Sequence, residues 1–147
     1  ATRRVAPPTE IKAQVPAGYV RLAVVGAHLT GMPLNTQLIE RKARFVESTF
    51  TADCYRLFAL PNTTPPKPGL IRTHDKGAEI IVELWDVPTH HFGSFVALIP
   101  APLGIGTLTL KDGSEVKGFI CEGAAVEGAK DITQLGGWRA YIKSLTA

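Results

Sequence analysis

Among the four histidines of this 147-residue chain, His28 has the surroundings best suited to moving a proton near neutral pH. It falls in Val24-Val25-Gly26-Ala27-His28-Leu29-Thr30-Gly31-Met32-Pro33-Leu34-Asn35, after an apolar run of strand character and before leucines at helical spacing. A glycine at such a junction lets backbone come close to a ligand. Amide N–H groups freed in the turn and at the helix start then make an anion site. An imidazole there can pass a proton to or from whatever the amides hold. A capping or buried structural histidine fits the same spacing, and the residues alone leave both readings open.

The other chemistry-bearing side chains lack partners. His90 and His91 are helix neighbours that project about 100° apart, with no third ligand spaced for a metal. Ser94 follows His91 by three residues, the spacing of an ordinary surface pair as much as of a nucleophile and its base. His74 precedes a turn and reads as solvent-facing. Cys54 and Cys121 allow one disulfide and no metal pattern, and Cys121 inside a strand-like run reads as a reduced, buried thiol. No Walker loop, dinucleotide fingerprint, His-Glu-x-x-His or Gly-x-Ser-x-Gly elbow is present, and Gly104-Ile105-Gly106 has no helix after it to cradle a phosphate.

The elements that must position His28 follow from periodicity. Residues 20–25 read as a buried strand, 26–33 as a tight loop, and 35–42 as a brief helix. Strands are expected over 44–49 and 55–60, with four prolines in 61–69 excluding a central strand there. Residues 70–74 and 79–87 read as a hairpin across 75–78, and 104–110 and 115–122 as a second hairpin turning at 111–114. Between them Pro88 suits the first turn of a helix whose apolar stripe is Phe92, Phe95, Val96 and Ile99. A terminal helix is expected from Trp138. Six or seven strands with a few short helices make an α+β domain with a mixed sheet or small barrel. Residues 1–18, with three prolines, read as a linker or N-terminal arm before a single domain at 19–147.

A composition of 45% hydrophobic and 20% charged residues is that of a globular protein. The net charge of +3 comes from scattered basic pairs with no clustered footprint, which argues against nucleic acid and mildly favours small anions. No apolar run is long enough to span a bilayer and no signal peptide is expected, so a reducing cytoplasmic setting is predicted. The absence of an initiator Met fits a fragment of a longer polypeptide.

Several segments together resemble the allophanate hydrolase C-terminal domain. They are residues 22–29, Gly31-Met32-Pro33-Leu34-Asn35, Gln37-Leu38, Tyr55-Arg56-Leu57 and Pro65-Pro66-Lys67-Pro68-Gly69-Leu70. Further on come Phe92-Gly93-Ser94-Phe95-Val96, residues 99–106, Lys117-Gly118-Phe119 and residues 136–141, all in family order. The fold this implies is similar to gamma-glutamyl cyclotransferases, whose corresponding turn reads roughly Tyr-Gly-Ser where this chain has Gly26-Ala27-His28. Their catalytic glutamate has no counterpart here, since Ile99, Pro100, Ala101 and Pro102 occupy that stretch, so cyclotransferase activity is not expected.

The resemblance further implies decarboxylation of N-carboxycarbamate, without metal or organic cofactor. That substrate is a small dicarboxylate made by an N-terminal amidase domain whose own motif this chain lacks. On this reading His28 handles the proton, and the amides of Gly26, Ala27, His28 and Leu29 grip the retained carboxylate. Pro102, Leu103 and Ile105 wall the departing one, while Asn35, Gln37, Tyr55 and Lys117 supply hydrogen bonds. The alternative is a non-catalytic assembly module of the parent enzyme, in which Trp138 and Tyr141 serve as anchors and a homo-oligomer is possible.

Overall fold

A computed structural model describes residues 14–146. The arm expected over residues 1–18 lies mostly outside these. The described residues form eight strands, three helices and two 3₁₀ turns in the order β1 (Tyr19–Val24), α1 (Asn35–Glu40), β2 (Arg44–Phe50), β3 (Tyr55–Ala59), β4 (Pro68–Arg72), β5 (Ile81–Pro88), α2 (Thr89–Val96), β6 (Leu103–Thr109), β7 (Glu115–Cys121), β8 (Lys130–Asp131) and α3 (Trp138–Ser144), with the turns at Gly123–Val126 and Thr133–Leu135. Five strands form a mixed sheet in the order β2-β5-β1-β7-β6, and β4-β3-β8 form a second, smaller one. Of the two expected architectures it is the mixed sheet that forms, with Thr51 and Leu110 making an isolated bridge between the ends of β2 and β6 rather than a closed barrel.

β1 lies at the centre of the larger sheet, antiparallel to β5 and parallel to β7. Both faces of its second half are covered, since residues 22–25 are all buried, and they accordingly read as an unbroken apolar run instead of alternating. Leu22, Ala23 and Val24 are fully buried. The parallel pairing has a consequence for the site. Two parallel strands end at the same edge, so the loop after β1 is delivered beside the second half of β7.

One sequence expectation is overturned. Residues 70–74 and 79–87 do not form a hairpin: β4 pairs with β3, whereas β5 pairs with β1 and β2 in the other sheet. The turn signal at 75–78 is real, but it marks a crossing between sheets, and local turn chemistry does not specify the strand's partner. The expected 104–122 hairpin does form, as β6 and β7. Pro88 closes β5 in extended geometry, φ −54° and ψ 132°, and caps α2 from outside instead of sitting in its first turn.

α2 is held to the sheet by Phe95, which is fully buried and contributes about 2–3 kcal/mol of transfer free energy. Trp138 of α3 is 2% exposed and packs against Tyr141 at 5.1 Å between ring centroids. Trp138 therefore belongs to the core and does not stand out as an assembly anchor. Among the described residues no helix is long and apolar enough to cross a membrane.

Candidate functional site

His28 sits on the loop between β1 and α1 and is 6% exposed. Its ring stacks on Phe119 of β7 at 4.9 Å and meets Phe95 of α2 edge-on at 5.2 Å. These two aromatics come from distant parts of the chain and fix the imidazole plane between them. Nε2 lies 2.7 Å from the Gln37 side-chain oxygen, which requires a proton on Nε2. Nδ1 is then the nitrogen left for a ligand, and it has no protein partner among the described residues. Burial is the main reason the His28 pKa lies below its ordinary value; the Gln37 hydrogen bond opposes that shift and the nearby Lys67 charge adds to it. The resting ring is neutral at physiological pH.

Asn35 and Gln37 act on the loop itself. The Asn35 side-chain amide donates to the His28 carbonyl at 2.9 Å, and Gln37 holds the ring. α1 is six residues long, and the backbone amides of Asn35 and Gln37 already donate to Met32 and Leu34. The helix start expected to bind an anion is thus consumed in shaping the loop. The Leu29 amide is also committed, to the Gly26 carbonyl at 3.0 Å. The amides of Ala27 and His28 differ. Both residues are buried, yet among the described residues neither amide donates to a protein acceptor. Buried amides are almost always paired, so these are spare donors beside the histidine.

Gly26 has a packing purpose the sequence did not reveal. A Cβ there would lie 2.2 Å from Pro68 Cδ, so only glycine lets Pro68 press against the loop. That contact brings Lys67, which precedes Pro68, to the histidine. Lys67 is 8% exposed. Among the described residues its ammonium donates to the carbonyls of Thr64 and Pro65, both at 3.4 Å, well beyond the usual 2.9 Å or so. Among the described residues no carboxylate pairs with it. A buried cation without a counter-charge is costly.

His28, Gly26, Ala27, Lys67, Pro68, Leu103 and Phe119 surround a cavity of about 20 Å³, room for roughly one water. A second cavity of about 200 Å³ shares Lys67 and Leu103 with it and is walled by Leu60, residues 62–64 and residues 100–102. Of the sequence-derived candidates, His28, Gly26, Ala27 and Leu103 meet at the inner cavity and Pro102 at the outer. Ile105 lines neither and packs on the core. Tyr55 is 2% exposed, with its hydroxyl accepting from the Thr109 amide at 2.9 Å. Lys117 donates to Thr107 at 3.2 Å and lines a larger concavity of about 370 Å³ that shares no residue with the two cavities at His28. Lys67, Phe95 and Phe119 went unassigned; the Pro-Pro-Lys-Pro run was the one available hint, since prolines on both sides fix the backbone from which the lysine projects.

The loop is anchored from its other end by Glu83 of β5. One carboxylate oxygen accepts from the Thr30 amide at 2.9 Å, the Thr30 hydroxyl at 3.0 Å and the Trp85 indole at 3.2 Å. The other accepts from Arg139 of α3 at 2.7 Å. Burial alone would raise the Glu83 pKa, but these donors outweigh it and hold the group below its ordinary value.

The remaining candidates are accounted for. Ser94 donates to the His91 backbone carbonyl at 3.0 Å and accepts from Arg41 at 2.9 Å, so it makes no contact with an imidazole. His90 and His91 lie against one another at 4.2 Å, and no cluster of potential metal ligands occurs among the described residues. Cys54 and Cys121 are free thiols. Cys121 is half-buried, and that burial, with Glu122 beside it, raises its pKa.

A mixed sheet with short helices in this order has the gamma-glutamyl cyclotransferase-like class of fold. A solved gamma-glutamyl cyclotransferase superposes with a TM-score of 0.53 at 11% identity, over 77% of this chain and 69% of that one, a likeness of fold alone. Within the class, the model of the allophanate hydrolase C-terminal domain matches residues 20–143, and the chain belongs to that family. Urea amidolyase of Saccharomyces cerevisiae is 46% identical over 134 residues, 88% of this chain but 7% of that protein. Kluyveromyces lactis allophanate hydrolase superposes with a TM-score of 0.84 at 46% identity, over 86% of this chain and 21% of the solved one. The chain thus spans a small part of these relatives. A uropathogenic E. coli-specific protein, c4763, is 36% identical with a TM-score of 0.79, and there the match takes in 96% of the solved chain.

Proposed function

We propose that this domain decarboxylates N-carboxycarbamate, the dianion an amidase domain would release from allophanate, in the cytoplasmic breakdown of urea or a triazine. The reading rests on one coincidence: a buried histidine with a spare ring nitrogen shares a small cavity with two amides that lack acceptors.

The chemistry follows from charge. In the substrate one nitrogen carries two carboxylates. Breaking one C–N bond releases carbon dioxide and leaves the electron pair on nitrogen, which must take a proton to give carbamate. His28 rests neutral, with Nε2–H held by Gln37. Arrival of a dianion raises the pKa of a neighbouring imidazole, so Nδ1 takes up a proton from water. That proton passes to the substrate nitrogen as the bond breaks, an acid contribution worth about 10²–10⁴-fold. The Ala27 and His28 amides hold the carboxylate that stays. The one that leaves faces Leu103 and Pro102, where apolar surface favours neutral carbon dioxide over the anion.

Mixed with a separately produced amidase domain and allophanate, the chain is expected to speed carbon dioxide release beyond that of the amidase domain alone. Equal rates count against the reading.

A further inference from the structure

The inner cavity is too small for a dicarboxylate, and the outer one touches no part of the amide pair. Lys67 lines both. We infer that the two cavities are halves of one dianion site and that Lys67 is its specificity-determining cation, drawn onto the substrate's retained carboxylate from weak contacts to Thr64 and Pro65. This assignment rests on the decarboxylase reading for the identity of the ligand, but its physical basis is separate.

Three observations carry it. Lys67 is a buried residue whose ammonium has no carboxylate partner among the described residues, so the counter-charge is left for a ligand to supply. Its two carbonyl contacts, at 3.4 Å, are long enough to be exchanged readily. A carboxylate offers charge-assisted bonds at about 2.7–2.9 Å in their place. Finally, Pro68 wedged against Gly26 fixes the backbone next to Lys67, so only the side chain needs to swing. Its movement would join the two cavities, letting the substrate lie with one carboxylate on the Ala27 and His28 amides and the other toward the apolar wall at Pro102 and Leu103. A monoanion fills the half with the amides and the ammonium and leaves the apolar half empty, so the second half selects length.

The test uses the 147-residue chain with malonate, which carries two carboxylates on one carbon, followed by calorimetry and by backbone amide NMR. Malonate is expected to bind, to shift the Ala27 and His28 amide signals, and to lose about 10- to 100-fold in affinity in Lys67→Met, the worth of a hydrogen bond to a charged group. Lys67→Arg should recover part of the loss, and acetate, which fills only the half with the amides and the ammonium, should bind wild type more weakly than malonate does. Lys67→Met is also expected to melt close to wild type, because Lys67 makes no ion pair with a carboxylate among the described residues. No malonate binding, equal affinity in Lys67→Met, or shifts mapping to the groove at Lys117 would each overturn the assignment. Lys67-dependent malonate binding with no acceleration of carbon dioxide release would sink the decarboxylase reading alone. Acceleration with an unchanged KM in Lys67→Met would sink the Lys67 assignment alone.

Discussion

Two buried polar centres hold the same loop, and they are built on opposite principles. At Thr30 the loop meets Glu83, whose carboxylate receives four hydrogen bonds from three different elements of structure. Two residues earlier it carries His28, whose ring has a single polar partner while the adjoining amides and the Lys67 ammonium are left under-bonded. A saturated carboxylate has nothing left to offer a ligand and serves the fold. A cluster of donors without acceptors is a standing cost to the fold, and the ligand that satisfies them recovers it.

The largest effect that separates the centres should come from His28→Asn. Asn keeps a polar group facing Gln37 but cannot deliver a proton, so acceleration of carbon dioxide release should fall about 10²–10⁴-fold while the urea midpoint barely moves. Glu83→Ala should do the reverse. Removing one member of a buried charged network costs about 3 kcal/mol, visible as a lower urea midpoint, with any activity loss following from a loosened loop. A Glu83→Ala midpoint equal to wild type would show that the saturated centre is not the anchor described here.

Gly26→Ala comes next. Its Cβ would fall 2.2 Å from Pro68, and relief of such overpacking costs about 1–3 kcal/mol. Because Pro68 carries Lys67 with it, malonate affinity should drop as well; intact affinity would mean that the wedge does not place Lys67. Gln37→Leu leaves the buried Nε2–H unsatisfied and should cost about 1–3 kcal/mol in stability and lower kcat more than it alters KM, since the ring loses its orientation while the amides remain.

The smallest effect is in pH dependence. The folded-state pKa of His28 lies below its unfolded value of about 6.5. The unfolded chain therefore binds more protons as pH falls through that range, so unliganded stability declines from about pH 6.5 downward to the folded pKa. Glu83 is lowered in the fold, so its contribution is full above about pH 4.3 and is lost as pH falls through its folded pKa. Urea midpoints measured across both windows should flatten at the upper step in His28→Asn and at the lower step in Glu83→Gln.

What the sequence made legible was the loop itself. The apolar run, the glycine, the histidine and the following leucines are contiguous, so His28 and its neighbours could be picked out from spacing. Lys67, Phe95 and Phe119 were not, because they reach His28 only through the β1–β7 pairing, the packing of α2 and the wedge of Pro68 on Gly26. Tyr55 and Lys117 share the family's motifs with the loop but do their bonding elsewhere, at Thr109 and Thr107. Motif membership alone does not distinguish a packing residue from one that meets a ligand. The misread hairpin at 75–78 has a similar origin: a turn is local, whereas the strand each arm pairs with is decided by the sheets.

Everything turns on whether the under-bonded centre performs proton transfer. The most direct measurement is the initial rate of carbon dioxide release from N-carboxycarbamate generated in situ, with wild type and with His28→Asn whose fold and malonate binding have been verified. Wild type should accelerate the release and the variant should leave it at a near-spontaneous rate. Equal acceleration by both proteins would contradict it.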